Sequence, residues 1–200
     1  MQIKETRFIT SSPGLHKCPP PGLPEYAFIG RSNVGKSSLL NMITDRKKLA
    51  KISSTPGKTQ LINHFIINEE WYLVDLPGYG YARISVHKKQ SWGKMIRDYI
   101  MKRKNLMSLF LLIDSRIPPQ QIDLNFIDLL GINQVPFVIV FTKSDKLSKP
   151  KLESNLNIYK KQLLNSWEDL PEIIVSSSTN KTGREEILSY IGKSNKLWKK

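Results

Sequence analysis

The octapeptide Gly30-Arg31-Ser32-Asn33-Val34-Gly35-Lys36-Ser37 follows the apolar run 26–29 and precedes the helix-forming stretch 38–43. A glycine-rich turn between a buried strand and a helix aims successive backbone N–H groups into one concavity. The helix adds the positive end of its dipole. A turn of this kind ties a strand end to a helix start, so it demands an α/β fold and makes a polyphosphate the natural occupant. Lys36 can then reach the β and γ phosphates. Ser37 offers its hydroxyl to a Mg2+ ion bridging the same phosphates, because that ion prefers a few hard oxygen ligands and keeps the rest as water.

Apolar or alternating runs at 26–29, 61–67, 71–75, 106–113, 135–141 and 173–175 are the strand candidates. Helical patterning occupies 36–44, 86–104, 120–130, 149–167 and 183–198. Strands alternating with helices predict a three-layer α/β domain, with a mostly parallel, mixed six-stranded sheet covered on both faces and ligands beyond the carboxyl ends of the strands. The antiparallel component comes from 61–67 and 71–75, joined only by Asn68-Glu69-Glu70, which is too short for a crossover. Residues 4–9 offer an additional edge strand. Residues 10–24, with Ser-Ser-Pro-Gly and Pro19-Pro-Pro-Gly22, read as a crossing loop. Thr182 and Glu185 have capping-box spacing for the last helix, and Gly131 closes the third. Residues 1–22 are expected to be an N-terminal extension packing on a domain of residues 23–200.

Two hundred residues with 40% hydrophobic side chains suit one globular domain with a real core. The net charge of +14 attracts phosphate-rich polymers and makes nucleic acid the first suspect, although a solvated lysine-rich surface gives the same count. Cys18 is the single cysteine, which excludes an internal disulfide scaffold. No signal-peptide pattern and no apolar run of about 18 residues occurs. Met1-Gln2 lacks the glycine of myristoylation, and the Lys200 end lacks a prenylation cysteine. The expectation is a cytoplasmic protein in a reducing compartment, without a membrane span or lipid anchor.

Four further segments fall where a triphosphate pocket needs them. Asp75-Leu76-Pro77-Gly78 follows an apolar run. Its carboxylate should emerge at a strand end and hold a water in the magnesium shell, while the Gly78 N–H can approach a γ phosphate and shift when that phosphate leaves. Thr142-Lys143-Ser144-Asp145 ends another buried run. Guanine presents N1–H and N2–H2 side by side, and a fixed Asp145 carboxylate accepts from both. Adenine has no such donor pair, so GTP is selected over ATP. The Lys143 stem can lie flat on the purine. Ser176-Ser177-Ser178 ends the last strand, where small residues let a backbone amide reach the guanine carbonyl. Gly57-Lys58-Thr59-Gln60-Leu61 lies between the first helix and the second strand, with Thr59 the best-placed hydroxyl for a second magnesium ligand.

Phosphate loop, threonine loop, Asp-x-x-Gly, Thr-Lys-x-Asp and serine tract follow the order of small GTPases. More narrowly, Gly30 to Ser37, Thr55-Pro-Gly-Lys-Thr-Gln60, Asp75-Leu-Pro-Gly-Tyr-Gly-Tyr-Ala82 and Thr142 to Asp145 resemble the EngB (YihA/YsxC) family of bacterial GTPases, of the TRAFAC class, over nearly the whole chain. The resemblance implies a P-loop G domain and a monomeric, magnesium-dependent GTPase that assists assembly of the large ribosomal subunit. Its partner would be that subunit or its precursor, through rRNA and ribosomal proteins, with neither DNA nor membrane. Family members are also linked to normal cell division and septation. Tyr79 follows Gly78 where many GTPases place a water-orienting glutamine, which implies slow hydrolysis without a partner. Asn33 stands where related GTPases help bind potassium, so K+ is expected to supply part of the missing positive charge. Lys36, Thr59, Gly78 and Asn33 are the expected catalytic set. The rival class is a nucleic-acid-binding module with a structural, non-cycling guanine nucleotide site.

Residues 86–104 carry Lys88, Lys89, Lys94, Arg97, Lys102, Arg103 and Lys104 against the single acid Asp98. Trp92, Met95, Ile96, Tyr99 and Ile100 recur at helical spacing as its core face. Because this helix follows the Asp75–Gly78 turn, nucleotide state can alter a basic surface. A second cluster, Lys193, Lys196, Lys199 and Lys200 with Trp198, could follow rRNA phosphates with one aromatic for stacking.

Overall fold

The computed structural model describes residues 1–46, 49, 61–79 and 86–199, with side chains of the second helix described from Gly93 onward. Seven strands form one sheet: β1 (Thr6–Ser12), β2 (Glu25–Gly30), β3 (Ile62–Ile67), β4 (Trp71–Asp75), β5 (Leu106–Asp114), β6 (Phe137–Thr142) and β7 (Glu172–Val175). Their spatial order is β1-β3-β4-β2-β5-β6-β7. The central and far strands β4, β2, β5, β6 and β7 pair in parallel, and β3 pairs antiparallel with both β4 and β1. The mixed, mostly parallel sheet is as expected, and the strand count is one higher.

That seventh strand is β1, and its bounds correct the reading of residues 10–24 as loop. Pairing runs to Ser12 opposite Ile62, with a register shift between Phe8 and Thr10. Ser11 and Ser12 look like loop residues, yet the Ser11 hydroxyl donates to Asn63 Oδ1 at 2.6 Å and the Ser12 hydroxyl to the Lys17 carbonyl at 2.8 Å. An edge strand can carry polar side chains because partners across the ladder and in the next turn satisfy them.

Among the described residues five α-helices flank the sheet: α1 (Lys36–Thr44), α2 (Val86–Lys102), α3 (Gln121–Ile132), α4 (Lys149–Leu164) and α5 (Arg184–Asn195). Alternate residues of the central strands face opposite cores, as the period of two requires. Tyr26, Phe28, Phe110 and Leu112 pack with Leu39 and Ile43 of α1 and Ile187 and Ile191 of α5. Ala27, Ile29, Leu109 and Leu111 face the other way, into Ile96 and Tyr99 of α2, Ile127 of α3 and Tyr159 of α4. No described helix is long and apolar enough to cross a membrane.

Helices α2, α4 and α5 stop two or three residues short of the predicted 104, 167 and 198, and the end of α3 and the start of α5 are built differently from expectation. Gly131 does not close α3 but lies inside it. The helix stops one residue later, where the Asn133 side chain donates to the Leu129 carbonyl at 2.8 Å and Gln134 takes the left-handed conformation that a terminal glycine often supplies. Gly131 makes room instead for Trp167, since a Cβ there would stand 2.3 Å from the indole ring. The ring has little freedom to retreat, being hydrogen-bonded to Asp128 at 3.1 Å and edge-on to Phe137. Gly131→Ala should therefore destabilise the fold by about 1–3 kcal/mol in urea unfolding, despite the better helix propensity of alanine. An unchanged midpoint would show that the ring yields freely.

The expected capping box of the last helix does not form. Gly183 is the cap residue, with φ of 80° and no space for a Cβ, which would meet the Val175 carbonyl at 2.5 Å. Thr182 thereby stands one residue too early. Its hydroxyl donates to Asn180 at 2.8 Å, and Glu185 accepts from Arg184 at 2.7 Å.

Candidate nucleotide-binding site

The phosphate loop leaves β2 at its carboxyl end and turns into α1 through Asn33 and Gly35, both with positive φ. A Cβ on Gly30 would meet the Leu112 carbonyl at 2.8 Å, so the loop begins where only glycine fits against β5. Lys36 and Ser37 occupy the first turn of α1, and Lys36 Nζ pairs with Asp75 Oδ1 at the end of β4. The amine and the strand-end carboxylate are thus brought to one place, with Ser37 next to Lys36 in the same helical turn. Asp75 is nearly fully buried and has a second tether that the sequence did not reveal. Asn63, its register partner on β3, donates to Oδ2 at 3.3 Å.

The Leu76–Gly78 turn is laced to the same loop. Leu76 N donates to the Phe28 carbonyl at 3.0 Å and Tyr79 N to the Gly30 carbonyl at 3.1 Å. Gly78 sits so close that a Cβ would lie 2.6 Å from the Gly30 oxygen. Tyr79 buries its ring against α3. Of the threonine loop, Gly57, Lys58, Thr59 and Gln60 lie outside the described residues, and Leu61 immediately precedes β3.

Thr142 to Asp145 follows β6 and is bolted to the phosphate loop at two points. The Thr142 hydroxyl donates to the Val34 carbonyl at 2.6 Å, and Lys143 Nζ donates to the Asn33 carbonyl at 2.6 Å. Lys143 takes a left-handed backbone conformation, which sends its stem across the space between the two loops. Asp114, at the end of β5, steadies the same amine at 2.9 Å and is itself clamped by Arg116. Burial pushes the Asp114 carboxyl upward, but Arg116 and Lys143 outweigh it and hold it down to about 2. Asp114 was missed in the sequence, although it obeys the strand-end logic that exposed Asp75.

Ser176 and Ser177 pack on the turn that carries Ser144 and Asp145. The Ser176 carbonyl accepts from Ser144 N and from the Ser144 hydroxyl, both at 3.1 Å, while Ser177 Oγ donates to Asp145 Oδ1 at 2.7 Å. Thr179, another residue not anticipated, reaches Asp145 Oδ2 at 3.3 Å. Donation from Ser177, with Lys146 beside it, keeps the Asp145 carboxyl below its ordinary value and therefore ionised near neutrality. Ser178 follows and is half-buried, next to the fully buried Ser176 and Ser177.

The basic helix divides. Lys94, Arg97 and Lys104 are exposed, and Asp98 is shared between Lys94 and Lys102. Arg103 leaves the basic surface altogether, its guanidinium buried on Glu25. The side chains of Lys88, Lys89 and Trp92 precede the described part of this helix, and Lys200 lies outside the described residues. Trp198 is half-buried with its indole nitrogen shielded from solvent.

Comparison with known proteins gives the same assignment as the geometry. A family profile described as 50S ribosome-binding GTPase matches residues 25–143. The probable GTP-binding protein EngB of Porphyromonas gingivalis is 58% identical over 191 residues, covering 96% of this chain and 95% of that protein. Its counterpart in Bacteroides thetaiotaomicron is 56% identical over the same share of each chain. Among solved structures, a probable GTP-binding protein engB superposes with a TM-score of 0.69 at 22% identity, covering 87% of this chain and all of that one. The G domain of the Thermotoga maritima FeoB iron transporter follows at 0.54 and 24%. These two likenesses speak to the P-loop GTPase fold, and the close relatives to the lineage. This chain belongs to the EngB family of GTP-binding proteins.

Proposed function

We propose that the protein is a magnesium-dependent GTPase, slow by itself, that works as a monomeric nucleotide-dependent switch in assembly of the large ribosomal subunit, with a consequent role in cell division and septation. The observation that carries the nucleotide part is the pair of bolts from Thr142 and Lys143 to the phosphate loop, which holds the turn bearing Asp145 against the loop bearing Lys36. Two recognition elements 108 or more residues apart in sequence are thereby held in one register, as a purine triphosphate requires.

Ser37 and Asp75 fit a magnesium ion, being hard oxygen donors at the mouth of the phosphate loop. These two side chains would hold the ion, which when bound would supply positive charge to offset that of the phosphates. Lys36 would exchange its contact with Asp75 for the phosphates, and the Gly78 amide would meet the γ phosphate. Tyr79, its ring packed on α3, offers nothing to orient a water, which supports slow unaided turnover. Asn33 would help hold a potassium ion. The ribosomal partner is supported by the net charge of +14 and by the family description.

The experiment is co-sedimentation with immature large-subunit particles, comparing a non-hydrolysable GTP analogue with GDP. Binding should favour the analogue by about fivefold or more and fall steeply as salt rises. Equal binding with both nucleotides would reduce the protein to a basic adhesive and remove the switch.

A further inference from the structure

Three separate parts of the molecule meet at one buried hydrogen bond that the nucleotide site does not itself use. The Tyr79 hydroxyl donates to Asp123 Oδ1 at 2.8 Å, and the Tyr79 ring stacks on Phe126 with centroids 4.8 Å apart. Asp123 lies in the first turn of α3 and is 3% exposed. Its other oxygen is 3.9 Å from Nη1 of Arg31 in the phosphate loop. Burial raises the Asp123 carboxyl, with Tyr79 and Arg31 pulling the other way. A carboxylate kept in such a place costs free energy unless its partners are fixed, so the site holds Tyr79 firmly.

We infer that Tyr79 and Asp123 are positioning residues of the Asp75–Gly78 turn, a latch through which α3 keeps Gly78 pressed against the phosphate loop. This rests on reading the site as a GTP site. The latch acts on the residue next to Gly78, whose own packing against the Gly30 oxygen leaves no space for a side chain. Released from α3, Tyr79 no longer fixes the end of the turn, and ordering Gly78 for a γ phosphate carries an added entropic cost. GDP makes no demand on Gly78, so its binding is spared. The glutamine position of other GTPases here orders the loop from behind instead of facing the reacting phosphate.

Calorimetric titration of the full chain with GDP and with a non-hydrolysable GTP analogue tests this in Tyr79→Phe, Asp123→Ala and Asp123→Asn. Tyr79→Phe keeps the stacked ring and removes only the hydroxyl. Asp123→Asn keeps an acceptor and should restore most of what Asp123→Ala loses. Tyr79→Phe and Asp123→Ala should weaken the analogue about tenfold and leave GDP within about twofold. Equal weakening of both nucleotides marks a merely structural contact and overturns the latch, as does an unchanged analogue-to-GDP ratio. A wild-type chain that binds neither nucleotide overturns the GTP-site reading itself, which is a distinct result.

Discussion

Asp145→Asn should weaken GTP about a thousandfold and shift preference to xanthosine triphosphate. In the proposed site the carboxylate would accept two hydrogen bonds from the guanine edge, and hydrogen bonds to a charged group contribute about 1.5–3 kcal/mol each. An amide at this position can still accept one of them, but it turns an N–H2 toward the remaining guanine donor. Xanthine carries a carbonyl at C2, which that N–H2 can meet. The surrounding structure favours a clean result. Ser177 Oγ and Thr179 Oγ1 are hydroxyls that can reverse their donor role toward an amide, and asparagine has the same shape as the aspartate it replaces. Since Asp145 is held below its ordinary value, guanine affinity should be flat through neutral pH and fall only under acid, as the folded carboxylate takes up a proton. Competition titrations with GTP and xanthosine triphosphate decide it. Unchanged selectivity would remove Asp145 as the base-reading residue.

What the sequence made legible was whatever a short stretch determines locally. The strand–glycine–helix signature located Gly30 to Ser37, and the three-residue link forced the β3–β4 hairpin. Asp75 stood out because a carboxylate after a buried run must surface at a strand end. The partners across the sheet stayed hidden. Asn63 reads as an ordinary polar residue in an alternating strand until register sets it opposite Asp75. Asp123 looks like a first-turn acid satisfied by its helix dipole, and only the folded chain brings it to Tyr79, 44 residues away. Arg103 illustrates the failure most sharply. In a run of seven basic residues its charge looks solvated like the others, and nothing local says that it is buried on an acid 78 residues earlier.

Arg103→Ala should destabilise the fold by about 3–5 kcal/mol at neutral pH, because removing one partner of a buried ion pair strands the other charge. Glu25 is fully buried at the start of β2. Its Oε2 accepts from Arg103 Nε at 2.9 Å and from the Tyr99 hydroxyl at 2.6 Å; its Oε1 meets Arg103 Nη2 and lies 3.3 Å from His64 Nε2. The same Nη2 reaches the Pro19 carbonyl at 2.7 Å, so one guanidinium ties α2 to the sheet and to the N-terminal segment. Burial alone would raise the Glu25 carboxyl, but Arg103 and His64 overcome it and hold the carboxyl down to about 2, against an ordinary 4.5. In the wild type the pair's contribution is therefore complete above the unfolded value and lost as pH falls through that interval. Without Arg103 the burial effect loses its main opponent and the sign reverses. The folded carboxyl rises, and protonation relieves the stranded charge as the medium is acidified. The stability gap between variant and wild type should accordingly narrow from pH 7 to pH 4 in urea unfolding. Arginine does not titrate there, and the remaining carboxylates cancel in the difference. A gap that stays constant with pH, or one below about 1 kcal/mol, would mean that water reaches Glu25 and that α2 is held by its apolar face alone.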